Sequence, residues 1–445
     1  MIPGSRMTDL RLQIVPVPFD DVSQLPDLLA RLTTEAVRTT HLNQLVASAW
    51  SNHREQFTVR YCLALVANTT ENLVREASAC LKSFRSFWDT GREWRTPAGS
   101  CLASNPLGPT GRLAFVYPGI ASIYPGFAET LLADYPETRQ HLAELIGGDP
   151  IKATRAPTTN DEIAALFADA VALGELGVLM TYAFTHVLRN HYRLHPTLAL
   201  GYSLGEISMF ASLGTWQQPE SLLVRIRKWD ALRATVNMRP LTSETQSNEW
   251  QTLVVSCGPD RVRQAIDADI AVYLTHINTP NEVVVLGRAS ELLRLRERLA
   301  CPVTEQPVAF AFHAEPLHPL RAEMQQAYSL EVAPRPGIDF VSQSPFLKVP
   351  HHMKSVAACI TNTLCGTVDF PQIVEGAYSA NARLFLTIGP RASCSTWIDT
   401  ILREQPHAAI PIDHPGATTS DGLTRALARL LTHRVEFDHS VLCVR

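Results

Sequence analysis

The pentapeptide Gly201-Tyr202-Ser203-Leu204-Gly205 concentrates the chemistry of this sequence. Glycines flanking a serine let backbone approach on both sides of a sharp strand-to-helix turn. Such a turn presents the serine hydroxyl as a nucleophile at the helix N-terminus. There the following amide, that of Leu204, points at the oxygen of a carbonyl under attack and stabilises the charge that develops. The flanks fit the motif. The apolar strand Thr197 to Leu200 precedes it, and the apolar helical run Ile207 to Leu213 follows.

A serine hydroxyl needs a base. His313 follows the apolar run Val308 to Phe312, read as a strand, and precedes a turn at Ala314-Glu315-Pro316. By position alone His318, His351, His352, His407 and His414 are rivals. A second oxyanion donor is offered where the strand Leu113 to Tyr117 runs into Pro118-Gly119-Ile120. Amides after such a strand can face the serine, although an ordinary tight turn gives the same residues.

Other chemistries are poorly supplied. The nine cysteines are scattered without a Cys-x-x-Cys pair, and no Cys/His cluster has ligand spacing, so no metal is expected. Scattered thiols read as buried small hydrophobes in a reducing, cytoplasmic setting. With 39 basic and 43 acidic side chains the net charge is −4, and no basic block marks a nucleic-acid partner. No unbroken apolar run reaches membrane-spanning length, and Met1 to Leu10 carries no secretory pattern.

The 445 residues, 46% hydrophobic and 18% charged, suffice for two to four domains. Residues 1–110 read as a small α/β linker domain, with strands Leu12 to Val17 and Tyr61 to Ala67 and helical spacing from Leu25 to Trp50 and from Asn72 to Phe87. It ends at the turn-rich stretch Asn105 to Gly111. A larger α/β unit spans 111–250 and 312–412. Between its parts, 251–311 has the order strand, helix, strand, strand, helix, strand, which is the ferredoxin-like arrangement. Residues 413–445 read as a segment returning to the linker domain.

These landmarks resemble the malonyl-CoA:acyl-carrier-protein transacylase family, including the acyltransferase domains of polyketide synthases. The family's Phe-x-Phe-Pro-Gly-Gln-Gly is similar to Phe115 to Ala121, and its Gly-His-Ser-x-Gly-Glu to Gly201 to Glu206. Its Asn-x-Pro and following valine strand look like Asn278-Thr279-Pro280 through Gly287, and its histidine, about 110 residues after the serine, falls on His313. Tyr124-Pro125-Gly126 and Ala211 to Trp216 look most like one branch, the acyltransferase subunit of bacterial polyunsaturated fatty acid synthases.

The resemblance implies an α/β-hydrolase-like large subdomain with an inserted ferredoxin-like subdomain. It implies an acyl-Ser203 intermediate, His313 as base oriented by a backbone carbonyl, and an oxyanion hole from the Leu204 and Ile120 amides. The donor would be acyl-CoA and the acceptor the phosphopantetheine thiol of an acyl carrier protein, with other synthase subunits as further partners and no permanently bound cofactor. Three departures stand out. Tyr202 replaces the usual histidine, and Ile120 the usual glutamine. Dicarboxylate-selective members carry an arginine 25 residues beyond the serine, where this chain has Lys228, with Arg227 beside it. Arg227, Lys228, Tyr202 and Phe312 are therefore the expected substrate-binding residues. Phe312 belongs to Phe310-Ala311-Phe312-His313, which is similar to a stretch of malonyl-selective domains, so the two signals conflict. The same dyad would also serve a hydrolase that clears acyl groups from carrier proteins. A docking subunit with a vestigial site and an unrelated α/β-hydrolase esterase are the remaining readings.

Overall fold

Continuous apolar runs in this chain become strands buried on both faces, and runs of helical spacing become the helices that cover them. The computed structural model describes residues 11–39, 41–55, 59–155, 157–236, 250–266, 270–343, 348–414 and 416–442. Met1 to Leu10, read above for a leader, lies outside the described residues. The chain divides into two units.

One unit draws on Met1–Gly111, Leu188–His195 and Ile412–Arg445. Its antiparallel sheet has the order Gln13–Phe19, Tyr61–Ala67, Cys101–Leu102, Trp94–Arg95. Tyr61–Ala67 is buried throughout. The amphipathic helix Thr419–Thr432 is stitched to this sheet. Thr432 Oγ1 donates to the Cys62 carbonyl and accepts from the Ala103 amide, both at 2.9 Å. The Arg429 guanidinium reaches both Glu93 carboxylate oxygens, with its closest approach at 2.8 Å. Burial pushes the Glu93 carboxyl up, but Arg429 and His433 outweigh it and hold it well below the usual carboxylate range.

The other unit comprises Arg112–Val187 and Pro196–Pro411. Its first sheet is parallel throughout, in the order Asp339–Val341, Leu198–Gly201, Arg112–Tyr117, Ala382–Thr387, Ala408–Pro411. Its second sheet runs Val303–Glu305, Trp250–Val255, Glu282–Arg288, Val272–Thr279, Val368–Asp369. The first four of these strands are antiparallel, and with the helices Pro259–Ala265 and Ala289–Leu299 they form a ferredoxin-like layer with its own apolar core. Val368–Asp369, from beyond the insertion, adds a parallel edge to it.

Two elements depart from the sequence reading. The last ferredoxin strand is Val303–Glu305, not Val308 to Phe312. After Gln306 donates to the Thr252 carbonyl, Pro307 has no N–H to continue the ladder, and the chain turns away. The apolar alternation at Val308 and Phe310 reflects cavity lining instead. Second, the helix Ala170–Asn190 is long and apolar enough to cross a membrane, although no unbroken apolar run revealed it. Two thirds of its most apolar stretch is buried inside the protein, as in a core helix.

Replacing Arg429 by methionine strands the Glu93 carboxylate in a nearly enclosed site and should cost about 3 kcal/mol at pH 7, measured by denaturant unfolding. The Glu93 carboxyl is depressed in the folded state, so the pair's contribution is complete above the unfolded pKa of about 4.3. It fades as pH falls below that value. The gap between variant and parent should therefore narrow on acidification.

Candidate active site

The strand Leu198–Gly201, buried along its length, leads through Tyr202 to Ser203, and the helix Leu204–Ser212 begins one residue later. Ser203 has φ 58° and ψ −118°, a region that residues with a side chain rarely occupy. The turn is held by close approaches on either side. A Cβ on Gly205 would lie 1.9 Å from the Tyr117 carbonyl oxygen, and one on Gly201 would lie 2.2 Å from the Glu206 amide nitrogen. Only glycine fits at either place. The Tyr202 amide donates to the same Tyr117 carbonyl at 2.9 Å, pinning the elbow to the neighbouring strand.

His313 reaches Ser203 from the segment that returns from the ferredoxin-like layer, also at positive φ (62°). Its amide is anchored on the Leu364 carbonyl at 2.7 Å. Ser203 Oγ and His313 Nε2 are 2.7 Å apart. On the other side of the ring Nδ1 lies 2.6 Å from the Thr363 carbonyl oxygen. A carbonyl only accepts, so Nδ1 carries the proton and Nε2 of the neutral ring is left to accept from the serine hydroxyl. Among the described residues no carboxylate bonds to this histidine. Burial lowers its pKa to about 4, against the opposing pull of the Thr363 and Gly366 carbonyls. At neutral pH the ring is therefore a free base.

Leu204 and Ile120, the residues expected to supply the oxyanion amides, line a cavity together with Ser203. Leu204 opens the elbow helix, and Ile120 begins the short turn Ile120–Ser122 after the strand Arg112–Tyr117. Ile120 and Ser203 line the same two cavities. Neither amide has a protein partner among the described residues.

Ser203 stands where these two cavities meet, with Phe312 on the shared wall. The larger, about 280 Å³, lies between the parallel sheet's C-terminal edge and the ferredoxin-like layer. It is lined by His313, Tyr202 and Arg391 among others. The smaller, about 100 Å³, runs under the helices Ala170–Asn190, Leu204–Ser212 and Pro219–Arg227 and is walled almost wholly by apolar side chains.

Other expected binding residues are placed differently. Tyr202 is buried, and its hydroxyl is already committed. It donates to Asn278 Oδ1 at 2.6 Å, Asn278 Nδ2 donates to Glu282 Oε1 at 2.9 Å, and Trp397 Nε1 donates to the same oxygen at 2.8 Å. Tyr202 thus ties the elbow to the inserted layer. Arg227 and Lys228 line neither cavity. The Arg227 fork closes on Glu175 at 2.8 and 2.9 Å, and Lys228 caps the end of its helix in solvent.

The sequence reading missed His276. Its ring stacks on Tyr202 at 5.1 Å and meets His313 edge-on at 4.5 Å, and burial, with the neighbouring His313, keeps it neutral. It lies two residues before Asn278 in the motif, which was the available signal. Glu206 was noted only as part of a motif. It is buried and accepts from Ser342. Burial raises its pKa, opposed by hydroxyls of Ser342 and Thr363. It thereby braces the helix end whose Thr363 carbonyl holds His313.

Among known proteins, a polyunsaturated fatty acid synthase subunit of Thraustochytrium sp. (strain ATCC 26185 / S-3) is 26% identical, over 93% of this chain and 21% of that protein. The chain thus spans about a fifth of that relative's length. The acyltransferase domain from module 8 of the salinomycin polyketide synthase shares the fold. It is 20% identical, with a TM-score of 0.75 over 97% of this chain and 98% of that one. So does a malonyl-transacylase in complex with a type II polyketide synthase acyl-carrier protein, at 16% identity and a TM-score of 0.58. That match covers 71% of this chain and 99% of that one. No protein-family profile matches the chain.

Reactivity of the dyad is expected to follow the neutral form of His313. Phosphonylation of Ser203 by a fluorophosphonate, read by intact mass, should stay near its plateau down to about pH 5 and fall by half near pH 4. A midpoint near the ordinary histidine value of about 6.5 would show that burial does not control the ring.

Proposed function

We propose that this chain, which resembles the malonyl-CoA:acyl-carrier-protein transacylase and polyketide synthase acyltransferase family in sequence and fold, is a serine acyltransferase. It moves an acyl group from acyl-CoA to the phosphopantetheine thiol of an acyl carrier protein. The observation that carries the reading is the contact between Ser203 Oγ and His313 Nε2 at 2.7 Å, on a nucleophile elbow with two unpartnered amides beside it.

Ser203 Oγ attacks the thioester carbonyl while Nε2 of His313 takes its proton. The carbonyl oxygen becomes an oxyanion facing the Leu204 and Ile120 amides. As the intermediate collapses, His313 returns the proton to the departing CoA sulfur, leaving an ester on Ser203. The carrier's thiol then gives its proton to Nε2 and attacks that ester, and the reverse collapse frees Ser203. One neutral histidine serves both halves, so a base with a low pKa suffices. The larger cavity, open to the dyad and bounded by the inserted layer, is where the pantetheine arm of either partner lies. Partnership with a carrier protein is supported by the acyl-carrier-protein complex of the structural neighbour. Other synthase subunits and a cytoplasmic setting accompany it in this reading. A hydrolase would form the same acyl-enzyme and differ only in admitting water to resolve it.

The full chain mixed with acyl-CoA should gain the mass of one acyl group, absent in Ser203→Ala. His313→Ala should slow acylation by about 10²–10⁴-fold. Adding holo-carrier protein should move the label to the carrier faster than it is lost to water. Faster loss to water with the carrier present would instead indicate a hydrolase.

A further inference from the structure

Resting on that reading, we infer that the acyl group carried by Ser203 is an uncharged apolar chain, not a dicarboxylate, and that the smaller cavity is its chamber. Ser203 opens into two spaces of different chemistry. The larger holds the dyad's histidine and polar groups from both layers. The smaller has no lysine, arginine or histidine among its described lining residues. Its walls are side chains such as Leu145, Val178, Ile207 and Leu222, with Gly174 in the floor.

The charges it does meet are negative. Glu175 and Glu220 stand at its edge. On the helix Pro219–Arg227 that bounds it, the Arg227 fork is closed on both oxygens of Glu175 and stays outside the cavity. A substrate carboxylate would have to displace one carboxylate from a two-point pair to claim that cation. Otherwise it would sit desolvated among aliphatic side chains, which strongly disfavours the charged form. An alkyl chain loses nothing there and gains with each methylene removed from water. The two cavities thus divide the labour at Ser203, one taking the thiol-bearing arm and the other the acyl tail.

The test follows initial rates of Ser203 acylation by intact mass, using the full chain with malonyl-CoA, isovaleryl-CoA and straight-chain acyl-CoAs from acetyl to octanoyl. Isovaleryl replaces the malonyl carboxylate by an isopropyl group of the same shape. We expect isovaleryl-CoA to react roughly tenfold faster than malonyl-CoA or more. Straight chains should gain up to about fourfold per added methylene until the chamber fills. Gly174→Leu, whose added Cβ meets only ordinary contact with Leu204 (3.7 Å), should shift the optimum to shorter chains. Val178→Phe should do the same from another wall, and circular dichroism checks that both variants fold. Malonyl-CoA reacting as fast as isovaleryl-CoA would overturn the proposal. So would an unchanged chain-length profile in both folded variants. A Ser203-dependent adduct in those cases would leave the transferase reading standing. No adduct from any donor, or one that survives Ser203→Ala, would remove that reading and this proposal together.

Discussion

Everything at the site depends on how closely the helix Leu204–Ser212 approaches the end of the strand Arg112–Tyr117. Gly205 lies against the Tyr117 carbonyl, and that carbonyl also takes the Tyr202 amide. With both sides of the turn fixed, Ser203 has no relaxed backbone conformation left to it. The strain of such a residue is of order 1–3 kcal/mol, and the buried strands Leu198–Gly201 and Arg112–Tyr117 and the buried apolar side chains of the elbow helix, such as Ile207, Met209 and Phe210, supply more than that. The result is a hydroxyl that cannot fold back into the helix and an amide, Leu204, that has nothing of its own to bond. The same sheet edge delivers the Ile120 amide, because both strands end at one level in register, Tyr117 beside Gly201.

The inserted ferredoxin-like layer is not a bystander to this geometry. Its strand Val272–Thr279 brings His276 against both Tyr202 and His313, and Asn278 takes the Tyr202 hydroxyl. Glu282 and Trp397 carry the connection onward to the helix Ser393–Ile401. Tyr202 is therefore a tether between layers. That role explains why Tyr202 lines the larger cavity yet has no hydroxyl to offer a substrate. The edge strand Val368–Asp369 pairs with the strand Val272–Thr279, Val368 opposite His276 and Asp369 opposite Ile277. The insertion is held at several points along the wall facing the dyad.

Much of this was legible in the sequence, and the exceptions have physical causes. The elbow could be read because its requirements are local: a buried strand, two glycines and an apolar helix within a few residues. The ferredoxin-like order was legible because each element carries its own periodicity. The final strand was misplaced because Val308 and Phe310 are apolar for the sake of a cavity, and a cavity wall alternates much as a strand does. The resemblance points to Arg227 and Lys228 through their distance in sequence from Ser203, and distance in sequence cannot reveal that Glu175, on another helix, takes the arginine. His276 carries only the weak signal of its place two residues before Asn278, because its meaning lies in two rings brought to it by other elements. The Thr363 carbonyl carries no side-chain signal at all. The paired Ser203 and His313 stand between these extremes. Each was marked locally, but only their resemblance to a family, and then their 2.7 Å approach, joined them.

In the proposed acyl transfer His313 works as a base without an acidic partner, and its burial bears on how. A carboxylate behind His313 would raise its pKa and stabilise the imidazolium, but it would also place a second charge in a site removed from water, at a desolvation cost of several kcal/mol. The Thr363 carbonyl fixes the same tautomer with a neutral acceptor. What it gives up is charge stabilisation, so burial is left to depress the pKa of His313. A base so weak still suffices because the proton it must accept comes only as the oxyanion forms, against two amides already in place. The imidazolium and the oxyanion then arise side by side in a low-dielectric site, where each supplies the counter-charge that the other lacks. In that proposed course the site is neutral before the reaction and a close ion pair during it, so its electrostatic preference is for the transition state over the resting enzyme.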